Sequence, residues 1–229
     1  MAENRTVLIT GASRGIGAAT ARAFAAEGYS VAINYLKSGD SAEALKAEIS
    51  ERGGYAEIFR ADVADAASVN DMIRAVINKF GKIDVLVNNA GIAEQRLFTD
   101  ITSEAWDRMI SVNLTGVFNC IKAVLPGMIS RKSGKIVNVS SIWGITGASC
   151  EVHYSAAKAA VIGLTKALAK EVGPSNIQVN CVAPGVIDTE MNASLTEADR
   201  MAITEETPLG RIGTAEEVDS AILYLASTK

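Results

Sequence analysis

The sequence predicts an α/β fold in which helices cover both faces of a doubly wound parallel sheet. Short continuous apolar runs alternate with longer segments of helical periodicity, which is the pattern of strands buried between two helical layers. No Ser/Gly/Pro-rich linker divides the 229 residues, and only four prolines occur. We therefore expect residues 1–229 to form a single domain.

The elements follow from this alternation. Strands are predicted at residues 6–10, 31–35, 56–60, 85–88, 135–139 and 177–182. Helices are predicted at residues 16–28, 41–52, 66–80, 103–129, 154–172 and 215–226. Gly28 and Gly81 are C-terminal helix stops, and Asp65 and Thr214 are N-caps. Residues 186–211 are polar and irregular, with a short helix at 196–204, and we expect them to form a substrate lid.

Composition excludes several classes of protein. With 48% hydrophobic and 21% charged residues, intrinsic disorder is not expected. The net charge of −4 argues against a general nucleic-acid binder. No secretory leader and no uninterrupted membrane-length apolar run are visible, which favours a cytoplasmic protein without a membrane partner. Three dispersed cysteines and a single histidine predict reduced thiols and no metal site.

A glycine-rich turn follows the first strand and leads directly into an alanine-rich helix. Glycines at this point let the backbone approach a pyrophosphate, and the helix N-terminus supplies free N–H groups. The alternative is a glycine turn that serves only tight helix packing. The residues expected to hold the dinucleotide here are Gly11, Ser13, Arg14, Gly15, Ile16 and Gly17.

Tyr154 and Lys158 share one face of a predicted helix because they are four residues apart. A neighbouring ammonium stabilises the phenolate and lowers the pKa of a tyrosine, which brings proton transfer closer to neutral pH. Most such pairs on helices are solvated neighbours. Because a glycine-rich turn typical of dinucleotide binding lies upstream, we interpret this pair as catalytic.

The end of the second strand indicates the choice of nicotinamide cofactor. NAD-specific sites place a carboxylate there for the ribose 2′-hydroxyl, and none precedes Asp40. Arg14, Lys37 and Ser38 are suited instead to the 2′-phosphate of NADPH. Alternatively, Lys37 is a solvated loop charge and NADH is also accepted.

The order of motifs resembles the short-chain dehydrogenase/reductase family, a Rossmann-type fold, from about residue 5 to the end of the chain. The motifs are the TGxxxGxG turn at 10–17, Asn88-Asn89-Ala90-Gly91, Asn113, Ser141, the Tyr154/Lys158 pair and Pro184-Gly185. Within the family, the sequence is similar to bacterial 3-oxoacyl-[acyl-carrier-protein] reductases. The family continues with a seventh strand beyond the last residue of this sequence. Either the chain is truncated or this edge strand is absent, and we expect six strands from the residues present.

The resemblance implies a catalytic set of Asn113, Ser141, Tyr154 and Lys158. Ser141 follows the fifth strand, where its hydroxyl can stabilise negative charge on a substrate oxygen, and Ser140 is taken as a turn residue. Asn113 would hold a water in a proton relay from Lys158. The alternative for Asn113 is a buried amide bonded to helix backbone.

The resemblance also implies further cofactor contacts. Asp62 and Val63 would meet the adenine. Lys158 would hold the nicotinamide ribose beside Tyr154. The remaining contacts would come from Asn89, Ala90, Gly91, Pro184, Gly185, Ile187 and Thr189.

The implied reaction is NADPH-dependent reduction of a 3-oxoacyl thioester in fatty-acid biosynthesis. An alternative hypothesis keeps the reaction and changes the substrate to a small ketone, sugar or polyol. A third hypothesis is a nucleotide-binding protein without catalytic activity. We expect Trp143, Glu151, His153 and Met191 to line the substrate pocket and decide between the substrates.

The sequence indicates two kinds of protein partner, an acyl carrier protein and further copies of the same chain. An acidic acyl carrier protein could dock on Arg131 and Lys132, although Ser175 and Asn176 occupy another position that is basic in the family. The helices at 103–129 and 154–172 are apolar around much of their circumference. A homo-oligomer is therefore expected, and the resemblance implies a tetramer.

Overall fold

The apolar runs form one parallel sheet in the order β3-β2-β1-β4-β5-β6, in a computed structural model that describes residues 5–193 and 195–227. The strands are β1 (Thr6–Ile9), β2 (Ser30–Tyr35), β3 (Tyr55–Arg60), β4 (Val85–Asn88), β5 (Gly134–Val139) and β6 (Ile177–Val182). This order is that of a Rossmann fold, with its reversal between β1 and β4. The predicted fold class is confirmed, and each predicted strand lies within one residue of an observed one.

Helices cover both faces of the sheet. The helices are α1 (Gly15–Ala26), α2 (Gly39–Glu51), α3 (Ala66–Phe80), α4 (Ser103–Ile110), α5 (Gly116–Arg131), α6 (Trp143–Thr146), α7 (Val152–Val172), α8 (Glu197–Glu206) and α9 (Ala215–Ala226). Alternate residues of β1 enter different cores: Val7 and Ile9 pack with α1, α2 and α9, whereas Leu8 packs with α3, α5 and α7. The continuous apolar runs are thus explained by burial on both sides.

Local end signals explain where several helices begin and stop. The Asp65 carboxylate accepts a hydrogen bond from the backbone N–H of Ala67. Thr214 begins α9 with a reciprocal capping box to Glu217. Gly28 and Gly81 have φ of +78° and +86°, a conformation that side chains disfavour. All four predicted end residues therefore act at helix ends.

The predicted helix at 103–129 is wrong in one respect: it is not regular. A π-helical turn at Ser111–Thr115 separates α4 from α5. It contains Asn113, whose amide bonds to Ile92 in the loop after β4. Sequence periodicity does not register a single widened turn whose side chain bonds outside the helix. The short helix α6 was also not predicted.

The Ser103–Arg131 stretch is long and apolar enough, by length and composition, to cross a membrane. Within the described residues it is the one segment that meets this criterion. Its buried side chains, including Val117, Ile121 and Val124, belong to the core formed with the sheet. The packing is that of a core helix, which satisfies the same criterion.

The segment predicted as a lid leaves the sheet after β6 and returns before α9. A parallel bridge joins Ile187 to Gly213, so the two ends of the excursion are held together. Between them, α8 begins at an N-cap on Thr196 and buries none of its described residues. Residue 194 lies outside the described residues. The lid function remains a prediction.

Buried amides link the centre of the sheet to α7. Asn88 Nδ2 donates to Asn138 Oδ1 over 2.8 Å, and Asn138 Nδ2 donates to Thr165 Oγ1 over 2.9 Å. Thr165 in turn donates to the Val161 carbonyl. Asn138 is fully buried, so its loss would leave the Asn88 amide nitrogen without its acceptor and the Thr165 hydroxyl without its donor.

We predict that Asn138→Ala lowers the free energy of unfolding by about 2–3 kcal/mol, because buried polar groups lose their partners. Urea denaturation at neutral pH measures it. Asn180→Ala on β6 is the control, since Asn180 is partly exposed and should change stability by less than about 0.5 kcal/mol. Equal effects of the two substitutions would contradict the role of the buried network.

Candidate active site

A crevice of about 480 Å³ opens at the carboxyl ends of the strands, where the strand order reverses. Most of the residues predicted to bind the cofactor line it. They are Gly11, Ser13, Arg14, Gly15, Ile16, Lys37, Ser38, Asp62, Val63, Asn89, Ala90, Gly91 and Thr189. The parallel strands thus bring together residues that are far apart in the sequence.

The glycine turn provides the close approach that a dinucleotide needs. Gly11 has φ of +61°, and a Cβ there would lie 2.8 Å from Ala90 Cα. A Cβ on Gly17 would lie 2.6 Å from Asn89 Nδ2 and from the Gly11 carbonyl. Gly17 is buried and does not line the crevice, so its role in this structure is to permit close packing of the turn.

Side-chain hydrogen bonds hold this turn against β2 and β4. The Thr10 hydroxyl accepts from the backbone N–H groups of Asn89 and Ala90, both at 3.0 Å. Asn89 Nδ2 returns hydrogen bonds to the Thr10 and Gly11 carbonyls. Asn34, which the sequence analysis did not select, accepts from the Gly11 N–H at 3.1 Å. The residues present therefore form a rigid cradle that fits a dinucleotide.

A second pocket, of about 120 Å³, continues from the crevice towards α7. Ile16, Asn89, Gly91 and Thr189 line both spaces. The second pocket brings together the predicted catalytic set, Asn113, Ser141, Tyr154 and Lys158, and the predicted nicotinamide contacts Pro184, Gly185 and Ile187. The predicted cofactor and catalytic groups therefore lie along one continuous cavity.

Tyr154 lies almost buried in this pocket. Burial is the largest influence on its phenol and raises the pKa above the ordinary value of 10.0. The Ser141 hydroxyl lowers this pKa, and the nearby Glu151 carboxylate raises it. The prediction that Lys158 lowers the pKa of Tyr154 is not supported. Lys158 Nζ lies 5.7 Å from the centre of the Tyr154 ring and donates instead to the Val139 carbonyl at 2.9 Å.

Lys158 is a buried amine whose side chain is nearly inaccessible to solvent. Burial lowers the pKa of its ammonium from 10.5 to about 8. Cys181 on β6 has a smaller, opposite influence. A charged Lys158 at neutral pH therefore costs folding free energy, as is common for groups held in place for function.

Asn113 is fully buried in the π-helical turn. Its Nδ2 donates to the carbonyls of Ile92 and Met109, and its Oδ1 accepts from the Ile92 N–H. A Cβ on Gly91 would lie 2.7 Å from Asn113 Oδ1 and 3.5 Å from Lys158 Nζ, so these groups adjoin one another. The side chain fixes the loop after β4, and its place in a water relay remains a prediction.

Of the four residues predicted to line the substrate pocket, three do so and one does not. Trp143, Glu151 and Met191 line the catalytic pocket as predicted. His153 does not: it is fully buried, and its Nε2 lies 3.9 Å from a carboxylate oxygen of Glu94. It precedes Tyr154 on α7 and so points to a different side of the helix.

Ser140 also lines this pocket, but its hydroxyl donates to the Lys158 carbonyl at 2.7 Å. Sequence reasoning missed Arg108, which lines the crevice from α4 and lies 3.8 Å from the Asp62 carboxylate. No local motif marks an arginine that reaches the site from a helix after β4.

The comparisons with known proteins agree with this geometry. The family model described as short chain dehydrogenase matches residues 5–200. The chain belongs to this family. It is an NAD(P)-dependent oxidoreductase that acts on a carbonyl or hydroxyl group.

Curated relatives match over nearly the whole chain. A 3-oxoacyl-[acyl-carrier-protein] reductase from Staphylococcus epidermidis is 44% identical over 226 residues, covering 99% of this chain and 93% of the relative. One from Synechocystis sp. is 47% identical, covering 97% and 89%. The crystal structure of the 3-oxoacyl-[acyl-carrier protein] reductase from Brucella melitensis has a TM-score of 0.93 at 38% identity, covering 99% of this chain and 85% of that one.

We predict that Lys158→Met stabilises the chain by about 1–3 kcal/mol at pH 7, because the variant buries no charge. The unfolded chain binds more protons between the folded pKa of about 8 and 10.5. The advantage of the variant is therefore full below pH 8 and declines as the pH rises towards 10.5. Paired urea denaturation curves across this range measure it. A variant that is less stable at pH 7 would contradict the account.

Proposed function

We propose that this chain reduces the 3-oxo group of an acyl thioester carried on an acyl carrier protein, with NADPH as hydride donor. The proposal rests mainly on one observation: the nucleotide crevice is continuous with the pocket that holds Ser141, Tyr154 and Lys158. The names of the relatives supply the substrate class. A place in fatty-acid biosynthesis follows from the family resemblance and belongs to the proposal. A cytoplasmic location belongs to the same proposal.

The polar residues around the carbonyl have separate tasks. Tyr154 donates a proton to the substrate oxygen, and its raised pKa keeps the phenol protonated at neutral pH. The Ser141 hydroxyl donates a hydrogen bond to the same oxygen as negative charge develops. When bound, the reduced nicotinamide supplies the hydride. Lys158, held by the Val139 carbonyl at the floor of the pocket, would bind the nicotinamide ribose.

NADPH is proposed over NADH from the charge at the end of β2. Lys37, Ser38 and Arg14 line the crevice, and no carboxylate lies within β2 or between β2 and Asp40. A carboxylate at this position would accept hydrogen bonds from a ribose diol and repel a 2′-phosphate. The adenine would lie against Asp62 and Val63 on the same wall of the crevice.

Docking of an acidic carrier protein is proposed on Arg131 and Lys132 at the end of α5. Arg131 already donates one hydrogen bond to the Ile83 carbonyl at 2.8 Å, which holds it near the amino end of β4. Nearby, Asn176 donates to the Lys132 carbonyl in place of a charged side chain. The basic surface is therefore smaller than the family resemblance implies.

A second substrate class, a small ketone, sugar or polyol, is favoured by Glu151. Its carboxyl group lines the catalytic pocket, and burial raises its pKa. Its contact is with the Gln95 amide at 3.5 Å, and no ion pair engages it within the described ranges. A carboxylate beside Tyr154 can accept a hydrogen bond from a substrate hydroxyl, which an acyl chain lacks.

We predict that the purified chain oxidises NADPH with acetoacetyl-CoA and that Tyr154→Phe lowers kcat/KM by about 10²–10⁴-fold, the usual contribution of a positioned proton donor. Absorbance of the reduced nicotinamide measures it. Tyr224→Phe is the control, since Tyr224 is 69% exposed on α9. Equal activity of Tyr154→Phe and wild type would contradict the mechanism. Turnover confined to hydroxylated ketones would select the second substrate class.

A homo-oligomer, in particular a tetramer, is proposed from the outer face of α4 and α5. Trp106, Phe118 and Ile129 are 38%, 46% and 43% exposed there, although each is a large apolar side chain. We predict a mass well above the 24.0 kDa of one chain in size-exclusion chromatography with light scattering. A single-chain mass at micromolar concentration would contradict the proposal. Phe118→Glu should shift the equilibrium towards the single chain.

A further inference from the structure

An open groove adjoins the nucleotide crevice at the ends of β2 and β3. Tyr35, Leu36, Lys37 and Ser38 line both spaces, so the groove is continuous with the crevice. Its remaining walls are the first turn of α2 and the last residue of β3. These are Gly39, Asp40, Ser41 and Arg60.

Arg60 is brought here by the parallel register of the sheet. It lies opposite Tyr35, in the last pair between β2 and β3. Its Nε donates to the Leu36 carbonyl at 3.2 Å, which anchors the guanidinium at the turn after β2. Within residues 5–193 and 195–227, its terminal nitrogens engage no ion pair or hydrogen bond. Both terminal nitrogens, with four N–H donors between them, therefore remain for a ligand in the groove.

The charge of the groove suits a phosphate group. Lys37 and Arg60 supply two cations, and Asp40 is the one carboxylate among the lining residues. A guanidinium offers a planar pair of donors that matches phosphate oxygens, and it holds its charge at every relevant pH. The Ser38 hydroxyl lies on the same wall and has no capping hydrogen bond to α2.

We infer that Arg60 is a specificity-determining residue that binds the 2′-phosphate of NADPH, together with Lys37 and Ser38. This inference rests on the proposed function, because the adenine must lie in the crevice for its ribose to reach the groove. With Arg60, β3 joins the glycine turn and the end of β2 among the elements that determine cofactor specificity. An arginine that merely supported the Leu36 loop would affect all adenine nucleotides alike.

The test compares two probes that differ only in the 2′-phosphate: adenosine 2′,5′-bisphosphate and adenosine 5′-monophosphate. Calorimetric titration of the intact chain at fixed salt gives both dissociation constants without any turnover. Wild type should bind the bisphosphate at least about tenfold more tightly, as expected for charge-assisted hydrogen bonds. Arg60→Gln should lose about tenfold in affinity for the bisphosphate and retain its affinity for the monophosphate.

Two variants control the measurement. Arg60→Lys keeps the charge and loses the planar pair of donors, so it should recover part of the preference. Arg74→Gln removes the same charge from the exposed face of α3 and should leave both affinities unchanged. Thermal unfolding confirms that each variant is folded.

The outcomes separate the inference from the function that it extends. An unchanged preference in Arg60→Gln, or an equal loss for both probes, would overturn the role of Arg60 and leave the NADPH proposal standing. A wild-type chain that binds both probes equally would overturn the NADPH preference and this inference together. Selective loss for the bisphosphate alone would support both.

Discussion

The reversal of strand order between β1 and β4 is the constraint on which the rest of the structure depends. The chain leaves β1 for a helix on one face of the sheet and leaves β4 for helices on the other. The two exits diverge and open a crevice at the carboxyl ends of the strands. Apart from Gly17, the groups assigned to the cofactor or to proton transfer lie along this crevice, the pocket that continues from it or the adjoining groove, because parallel strands end at the same edge.

Side chains at the centre of the sheet form hydrogen bonds to backbone groups beside the crevice and to one another. Thr10 and Asn89 join the two exits, Asn34 ties the glycine turn to β2, and Asn138 connects β4 to α7. Lys158, in contrast, lowers the folding stability, because burial disfavours its charged form. These hydrogen bonds thus stabilise the sheet and helix that hold Lys158, whose buried charge is retained for function at a cost in stability.

The sequence predicted features that depend on near neighbours. Strand positions follow from apolar runs, and the Tyr154/Lys158 pair follows from helical spacing. The π-helical turn and the position of Arg108 were not predicted, and the direction of the Tyr154 pKa was predicted wrongly, because each depends on contacts between distant segments. Lys158 illustrates the point: spacing placed it beside Tyr154, but the Val139 carbonyl on β5 determines where its amine points.

A crystal structure of the chain with NADP⁺ would test most directly whether the crevice and the catalytic pocket form one site. We expect the adenine to lie against Asp62 and the nicotinamide to lie between Tyr154 and the 184–189 segment. The 2′-phosphate should lie at the end of β2. A nicotinamide bound outside the pocket lined by Ser141 and Tyr154 would contradict the account, because no hydride could then reach a carbonyl held by those residues.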